Sequence, residues 1–247
     1  MDATDAIALV LGGFVAGIVN TLAGGGSLLS VPLLVLVGLP GTLANGTNRV
    51  GILFQSLVAT FHFRSRGVLD LGVALRVLAP LCAGSLVGAG LVSRVDDAVF
   101  ERSFGLVMLV LLVPTVRGLA KSPRRRTPWP VWLATIILFG IGLYGGSFQA
   151  GVGLFLLAAL ERAGLDLVRA NAIKMLVVAA LTLVALPVFL MEGQIAWDYA
   201  LVLAFGFSIG GSVGARLAMR GGERLIRGVI GVAVVALAGR MLGLYGT

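Results

Sequence analysis

The sequence predicts an all-α polytopic membrane protein built from two inverted-topology repeats, with short or broken helices near the membrane midplane. The first observation is composition: 58% of the 247 residues are hydrophobic and 12% are charged, whereas a soluble domain carries about 25% charged residues. The second is that roughly eight to ten hydrophobic segments recur along the whole chain. The third is an internal repeat that relates the two halves. We therefore expect lipid, rather than water, to surround most of the chain.

Eight of the apolar segments are each about 17 to 25 residues long, which is enough for a helix to cross the hydrocarbon core. They lie near 5–22, 44–63, 71–92, 98–117, 130–146, 168–189, 196–218 and 224–244. Two shorter apolar runs lie near 27–38 and 151–161. A helix of about 12 residues rises roughly 18 Å, which is less than a bilayer core of about 30 Å. The short runs are therefore either tilted helices or half-helices that enter the protein interior.

The only substantial linker reads KSPRRRTPWP, at 121–130. Its prolines and basic cluster exclude a membrane helix and mark the midpoint of the chain. We divide the chain into a first repeat at 1–118, a basic cytoplasmic linker at 119–130 and a second repeat at 131–247. Together the two repeats are expected to form one compact membrane domain.

The two halves align without a gap when the numbering is shifted by 126. Matching residues include Gly25 with Gly151, Gly38 with Gly164, Asn45 with Asn171, and Gly88 with Gly214. An apolar composition gives chance matches of leucine, valine and alanine, but it does not readily give glycines and an asparagine pair in register. The repeat therefore indicates a transporter built from two related halves.

The basic residues predict the orientation of the chain, because cytoplasmic loops are rich in lysine and arginine. One side holds Arg64, Arg66, Lys121, Arg124, Arg125, Arg126, Arg162, Arg169, Arg220 and Arg224, whereas most acidic residues fall on the other. Both termini are then expected on the periplasmic or extracellular side. The repeat places the loop of Arg64 and Arg66 onto Leu190 and Glu192, so this loop changes from basic to acidic, as an inverted repeat requires. Five crossings per half would give the inversion, and so would three crossings plus a re-entrant pair.

Two glycine motifs interrupt the apolar sequence at matching places, AGGGS at 23–27 and QAGVG at 149–153. In inverted-repeat transporters, interrupted helices build the substrate site near the midplane. Their N-terminal N–H groups point at bound anions, and glycine lets the backbone approach the ligand. These motifs predict an anion cradle, although glycines can also serve only to pack helices closely.

A second pair of motifs places charge inside the apolar spans: ANGTNR at 44–49 and ANAIK at 170–174. Asn48 aligns with Lys174, and Arg49 is adjacent. Charges within a membrane are costly and usually functional, so we expect these cations to attract an anion; the alternative is that they extend to the headgroups. The predicted substrate-binding residues are Asn20, Gly24, Gly25, Gly26, Ser27, Asn45, Asn48, Arg49, Gln149, Gly151, Gly153, Asn171 and Lys174.

Several functions are disfavoured. The formal net charge of +8 is assigned to loops that face anionic lipid, rather than to nucleic-acid binding. One cysteine, one histidine and acidic residues only near span ends argue against an enzyme, a metal site or a metal-cation carrier. No cofactor is expected. The expected partners are the lipid bilayer and a small anion, and a homodimer is left open.

The motifs resemble a known family. AGGGSLLSVPLL followed by GLPxxxANGTN resembles the first-half signature of the sulfite exporter TauE/SafE family, and LYGGSFQAGVGLFLL followed by GLDxxxANAIK resembles the second-half signature. The resemblance covers nearly the whole chain. It implies export of sulfite, sulfoacetate or a related sulfur-containing anion across a bacterial inner membrane. We expect alternating access, with an anion channel of the same fold, or a carrier of another small anion, as alternatives.

Overall fold

The computed structural model describes residues 1–117 and 129–220. Within these ranges the regular structure is helical, without strands. The helices are α1 (Ala3–Ala23), α2 (Ser27–Leu36), α3 (Gly41–Ser65), α4 (Leu71–Val92), α5 (Asp97–Arg117), α6 (Val131–Ser147), α7 (Val152–Arg162), α8 (Leu167–Met191) and α9 (Trp197–Met219). The predicted span at 224–244 and the basic residues of the linker lie outside the described residues. The division of the chain at this linker therefore stays a prediction.

Four of the described helices, α1, α4, α8 and α9, are long and apolar enough to cross a membrane. Large hydrophobic side chains are exposed on these helices, for example Leu11, Leu75, Leu183 and Leu201, and lipid is the solvent in which such surfaces are stable. The helix α3 has 25 residues, but its first two turns carry the polar ANGTNR motif. The chain is therefore a multi-pass, all-helical membrane protein, as the sequence predicted.

The helix boundaries follow the offset of 126 residues. Both ends of α3 and α8 are separated by this offset, and so are the first residues of α4 and α9. The turns match as well: Gly38 and Gly164 have φ angles of 97° and 92°, and Gly67 and Gly193 have φ angles of 68° and 67°. Only glycine adopts this left-handed backbone without strain, which explains why these glycines recur in register.

The matching helices start through different local contacts. On α8, the Asp166 carboxylate accepts hydrogen bonds from the N–H groups of Val168 at 3.1 Å and Arg169 at 3.0 Å. On α3, the carboxylate comes from α5: Asp97 Oδ1 accepts from the N–H group of Thr42 at 2.8 Å and from its hydroxyl at 2.6 Å. Both carboxylates accept hydrogen bonds from N–H groups that have no acceptor within the helix. Their negative charge is also stabilised by the positive end of the helix dipole.

The helices pack into two bundles, and each bundle contains helices from both halves of the chain. The first bundle contains α1, α2, α3 and α9, and the second contains α6, α7, α8 and α4. Each bundle therefore takes three helices from one half and one long helix from the other. Glycines allow the exchanged helices to pack closely: a Cβ on Gly210 of α9 would overlap the backbone of Phe14 on α1, and a Cβ on Gly84 of α4 would overlap that of Phe139 on α6.

The bundles meet where α3 packs against α8. Gly46, near the start of α3, contacts Phe189, near the end of α8. Phe63, near the end of α3, packs in one cluster with Ala172 and Met175, near the start of α8. The two equivalent helices therefore run antiparallel, which is the arrangement that two inverted repeats require. The inversion across the membrane and the side on which the termini lie stay predictions.

The two short runs are half-length helices. The helices α2 and α7 contain 10 and 11 residues, so they rise about 15 to 17 Å, roughly half of a bilayer core of about 30 Å. Of the two alternatives that the sequence left open, this length favours half-helices that enter the protein from one side. Their first residues, Ser27 and Val152, are both buried.

The packing of α4 against α6 can be tested with two glycines of the same helix. A Cβ on Gly142 would overlap the backbone of Leu81, whereas a Cβ on Gly140 would meet no atom within 4 Å. Gly142→Ala should lower the melting temperature of the detergent-purified protein, because overpacking costs about 1–3 kcal/mol. Gly140→Ala is the matched control and should keep or raise it, since alanine favours a helix by about 1 kcal/mol over glycine. Equal melting temperatures would contradict this packing.

Candidate functional site

The two glycine motifs meet inside the protein. Between α1 and α2 the backbone turns at Gly24, which has a φ angle of 79°, and between α6 and α7 it turns at Gly151, with a φ angle of 67°. A Cβ on Gly24 would overlap the Cα atom of Gly153, and a Cβ on Gly153 would come equally close to the Cα atom of Gly24. The two interrupted segments thus lie backbone against backbone, with the end of α1 against the first turn of α7.

Lys174 of α8 lies at the end of α1. Its side chain is fully buried, and its Nζ atom donates hydrogen bonds to the carbonyl oxygens of Asn20 at 3.0 Å and Thr21 at 2.9 Å. The last carbonyl groups of a helix have no partner within the helix and carry a partial negative charge. Lys174 therefore caps the broken end of α1, which belongs to the other bundle.

Arg49 of α3 makes the reciprocal contact at the end of α6. Its guanidinium group donates to the carbonyl oxygens of Gly145 at 3.4 Å, Gly146, and Ser147 at 3.2 Å. Its Cζ atom also lies 4.2 Å from the ring centroid of Phe189, within the range of a cation–π contact. Each bundle therefore supplies one buried cation to the broken helix of the other bundle.

The burial of both cations shows that they lie within the protein and do not extend to the lipid headgroups. A side chain that extends to the headgroups keeps its charge in contact with water, but Arg49 and Lys174 are each 0% exposed. The described part of the chain contains no buried aspartate or glutamate. Backbone carbonyl groups therefore accept hydrogen bonds from both buried cations and stabilise their positive charge.

A network of amide and hydroxyl groups supports the first break. Asn20 Nδ2 donates to Gln55 Oε1 at 2.7 Å, and Gln55 Nε2 donates to Thr21 Oγ1 at 2.6 Å. The N–H group of Gly26 donates to Asn20 Oδ1 at 3.4 Å. These bonds join α3 to the last turn of α1 and to the glycine turn. Gln55 thus holds α3 against α1 through both polar atoms of its side chain.

Asn48 holds the first turn of α2. Its Nδ2 atom donates to Ser27 Oγ at 3.3 Å, and its Oδ1 atom accepts from Ser30 Oγ at 2.5 Å. Ser30 also lies 3.2 Å from the carbonyl oxygen of Gly26. Sequence reasoning missed Ser30, because an isolated serine in an apolar helix resembles an ordinary packing residue; its position one turn after Ser27 is the signal that was available.

The second break is held by a different set of bonds. Asn45 Nδ2 donates to the carbonyl oxygen of Ser147 at 2.9 Å. Gln149 Nε2 donates to Thr182 Oγ1 at 2.6 Å, and Thr182 is a second residue that sequence reasoning missed. The Oδ1 atom of Asn45 and the Oε1 atom of Gln149 are buried and have no hydrogen-bond partner in the described part of the chain. The same is true of Oδ1 of Asn171, the repeat partner of Asn45.

All thirteen predicted site residues are buried. The contacts described above bring most of them to the two breaks. Gly25 lies in the first glycine turn, between Gly24 and Gly26, whereas Asn171 Oδ1 has no hydrogen-bond partner among the described residues. Within the described ranges, no group of three or more histidine, cysteine, aspartate or glutamate side chains could hold a metal ion. The arrangement offers buried cations, helix N-termini and amide groups, which suit a small anion. Binding by these residues stays a prediction.

Comparison with known proteins gives a consistent assignment. The family model described as sulfite exporter TauE/SafE matches residues 9–241. A protein of Sinorhizobium sp., named probable membrane transporter protein ORF9, is 30% identical over 240 residues, which cover 95% of this chain and 91% of that protein. A probable membrane transporter protein of Haemophilus influenzae is 27% identical over 93% of this chain and 91% of its own.

A third relative, the probable membrane transporter protein YfcA of Escherichia coli strain K12, is 29% identical over 92% of this chain and 86% of its own. No solved structure matches the chain. The similarity thus extends over nearly the full length of this chain and of each relative.

The capping role of Lys174 can be tested by its effect on stability. Lys174→Met removes the donor to the carbonyl oxygens of Asn20 and Thr21. The oxygen of Asn20 keeps the N–H group of Gly24 at 2.8 Å, so the loss falls mainly on Thr21, and a buried carbonyl group left unsatisfied costs about 1–3 kcal/mol. We expect a clear fall in the melting temperature of the purified protein in detergent. Arg169→Met on the same helix is the matched control: its side chain is 63% exposed in an ion pair with Asp166, which is worth less than about 1 kcal/mol. A Lys174→Met protein as stable as the wild type would contradict the capping role.

Proposed function

The chain belongs to the sulfite exporter TauE/SafE family of membrane transporters, and we propose that it exports a small sulfur-containing oxyanion, sulfite or an organosulfonate such as sulfoacetate, by alternating access. The family consists of transporters, not enzymes. The observation that carries the proposal is the pair of fully buried cations, Arg49 and Lys174, beside two helix breaks that meet at Gly24 and Gly153.

The charge of this region supports an anionic substrate. Arg49 and Lys174 contribute two positive charges. The ends of α1 and α6 that they cap contribute about half a negative charge each, and the starts of α2 and α7 contribute about half a positive charge each. The helix dipoles therefore roughly cancel, and about two positive charges remain with no buried carboxylate in the described residues. A low-dielectric interior strengthens the attraction of such a region for an anion.

The crossed capping contacts support alternating access. Arg49 belongs to the first bundle and binds the end of α6 in the second, whereas Lys174 belongs to the second bundle and binds the end of α1 in the first. Both contacts lie where the bundles meet. In the proposed mechanism, the bundles rock about this centre, and the anion shares the two cations with the carbonyl groups that hold them.

Export of an anion needs no coupling ion. An anion that leaves a cell with a negative interior gains about 2.3 kcal/mol per charge for each 100 mV of membrane potential. The described residues contain no buried carboxylate of the kind that binds sodium ions or relays protons in coupled transporters. The membrane potential is therefore a sufficient driving force for the proposed direction.

An anion channel of the same fold is the second candidate, because the same lack of buried carboxylates suits a passive pore. A carrier of another small anion is the third. A carrier with an enclosed site saturates as the substrate concentration rises, whereas flux through a channel keeps increasing over a much wider range. The concentration dependence of flux thus separates the first two candidates, and competition among anions separates the first from the third.

The test is uptake into proteoliposomes of the purified protein, with labelled sulfite, sulfoacetate, sulfate and chloride under an imposed potential of either sign. We expect saturable uptake of sulfite or sulfoacetate that increases when the vesicle interior is positive. Lys174→Gln removes one of two central charges and should reduce this flux by at least about tenfold, equivalent to roughly 1.4 kcal/mol. Lys174→Arg should restore part of it, and the exposed Arg169→Gln should leave it unchanged.

Two results would contradict the proposal. If none of the four anions moves faster than through protein-free vesicles, the oxyanion assignment is wrong. If Lys174→Gln elutes as a folded protein in size-exclusion chromatography and carries sulfite at the wild-type rate, the central charge has no role in transport.

A further inference from the structure

The second break contains two buried hydrogen-bond acceptors without partners among the described residues, and they are side-chain amide oxygens. Asn45 Oδ1 and Gln149 Oε1 are buried and have no partner in the part of the chain that the structure describes. Their residues are 0% and 3% exposed. Buried polar atoms in proteins are almost always hydrogen-bonded, so two such oxygens at one helix break indicate that something else supplies the donor.

The orientation of both amide groups follows from their neighbours. Asn45 Nδ2 faces the carbonyl oxygen of Ser147, which can only accept. If the amide were reversed, Asn45 Oδ1 would face this oxygen, and neither atom could donate a hydrogen bond. Gln149 Nε2 faces the hydroxyl of Thr182, and that hydroxyl donates its own hydrogen to the carbonyl oxygen of Val178 at 2.7 Å. The unpartnered atoms of Asn45 and Gln149 are therefore the oxygens, which accept hydrogen bonds.

The backbone of Gln149 supports a role for this side chain. Its φ angle of 58° is the only positive value at a residue other than glycine in the described ranges. Glutamine adopts this conformation at a cost, and such strain is concentrated at functional sites. Gln149 lies between the end of α6 and the start of α7, and its amide group reaches Thr182 of α8. A glycine at this position would turn the chain without strain but would provide no acceptor.

One of the acceptors, that of Asn45, lies beside a positively charged donor. Asn45 precedes Arg49 by one turn of α3, so the two side chains share a face of the helix. Both bind the same carbonyl oxygen, that of Ser147, at 2.9 Å and 3.2 Å. Arg49 Nε is buried and has no partner in the described residues. The second break thus combines a cationic N–H donor with two neutral oxygen acceptors.

This combination distinguishes between the protonation states of an oxyanion. A fully deprotonated oxyanion has only acceptor oxygens, which suit Arg49 Nε but would oppose the oxygens of Asn45 and Gln149. A monoprotonated oxyanion has both kinds of group: charged oxygens to accept from Arg49, and one O–H group to donate. We propose that the second break binds its oxyanion in the monoprotonated form, hydrogensulfite in the case of sulfite, with the O–H group donating to Gln149 or Asn45. This inference rests on the proposed function.

Groups of the protein do not account for such a proton dependence. The titratable groups that the described elements bring to the breaks are Arg49 from α3, Lys174 from α8 and Tyr144 from α6, whose hydroxyl donates to the carbonyl oxygen of Ala150. None of them is a histidine or a carboxylate, the groups that ordinarily titrate at or below neutral pH. The dependence on pH would then come from the substrate itself.

The experiment uses wild-type proteoliposomes and sulfite across the pH range in which hydrogensulfite loses its proton. Total sulfite is adjusted at each pH so that the hydrogensulfite concentration stays constant, and uptake by protein-free vesicles is subtracted to remove diffusion of sulfur dioxide. We expect a constant initial rate in this series, and a fall in proportion to the hydrogensulfite fraction when total sulfite is held constant instead. A rate that follows the dianion or total sulfite would overturn the inference.

A matched pair of variants separates recognition of the proton from general support of the fold. Gln149→Met keeps the length of the side chain but removes the acceptor, and should lower the rate at constant hydrogensulfite about tenfold while abolishing the preference for the protonated form. Gln55→Met removes a buried amide from the first break, where both polar atoms are already bonded, and should keep the preference. Retention of the full preference in a folded Gln149→Met protein would contradict the role of Gln149.

The failures of the two proposals give different results. Absence of protein-dependent sulfite uptake at every pH would overturn the proposed function and, with it, this inference. Saturable sulfite uptake that follows the dianion would leave the proposed function intact and overturn the inference alone.

Discussion

A helix that ends inside a membrane protein leaves its last carbonyl groups without partners, and water is not at hand to satisfy them. The described part of the chain contains two such ends, those of α1 and α6, and each is capped by a buried cation from the opposite bundle. The other features of the centre depend on this arrangement. The caps permit the breaks, the breaks bring the end of α1 against the first turn of α7, and the capping charges make the region attractive to an anion.

The two repeats solve the same problem with different residues. The cation of the first half, Arg49, aligns with Met175 in the second half. The cation of the second half, Lys174, aligns with Asn48 in the first. The first break is therefore held by a well-bonded amide network, whereas the second retains acceptors that the described residues do not satisfy. A transporter that faces two compartments through related halves gains from such a difference, because one break can provide support while the other recognises the substrate.

Much of the fold could be predicted because it depends on local pattern. Glycines and asparagines in register gave the repeat offset, and α3 and α8 obey it at both ends. Burial of Arg49 and Lys174 was also expected. Their carbonyl partners were not, because these contacts arise from the packing of one half against the other, which a single sequence does not reveal. Ser30 and Thr182 were missed for a related reason: each resembles a packing residue until the partner that it bonds, Asn48 or Gln149, is placed beside it.

The central claim is that an oxyanion binds between the two helix breaks, in contact with the cations that cap them. An experimental structure of the protein soaked with selenite, a heavier analogue of sulfite, tests this most directly through the anomalous signal of selenium. We expect one peak per chain beside Gly24 and Gly153, with an oxygen within hydrogen-bond distance of Arg49 Nε. Selenium bound only at the membrane surface, with both breaks unoccupied at saturating selenite, would contradict it.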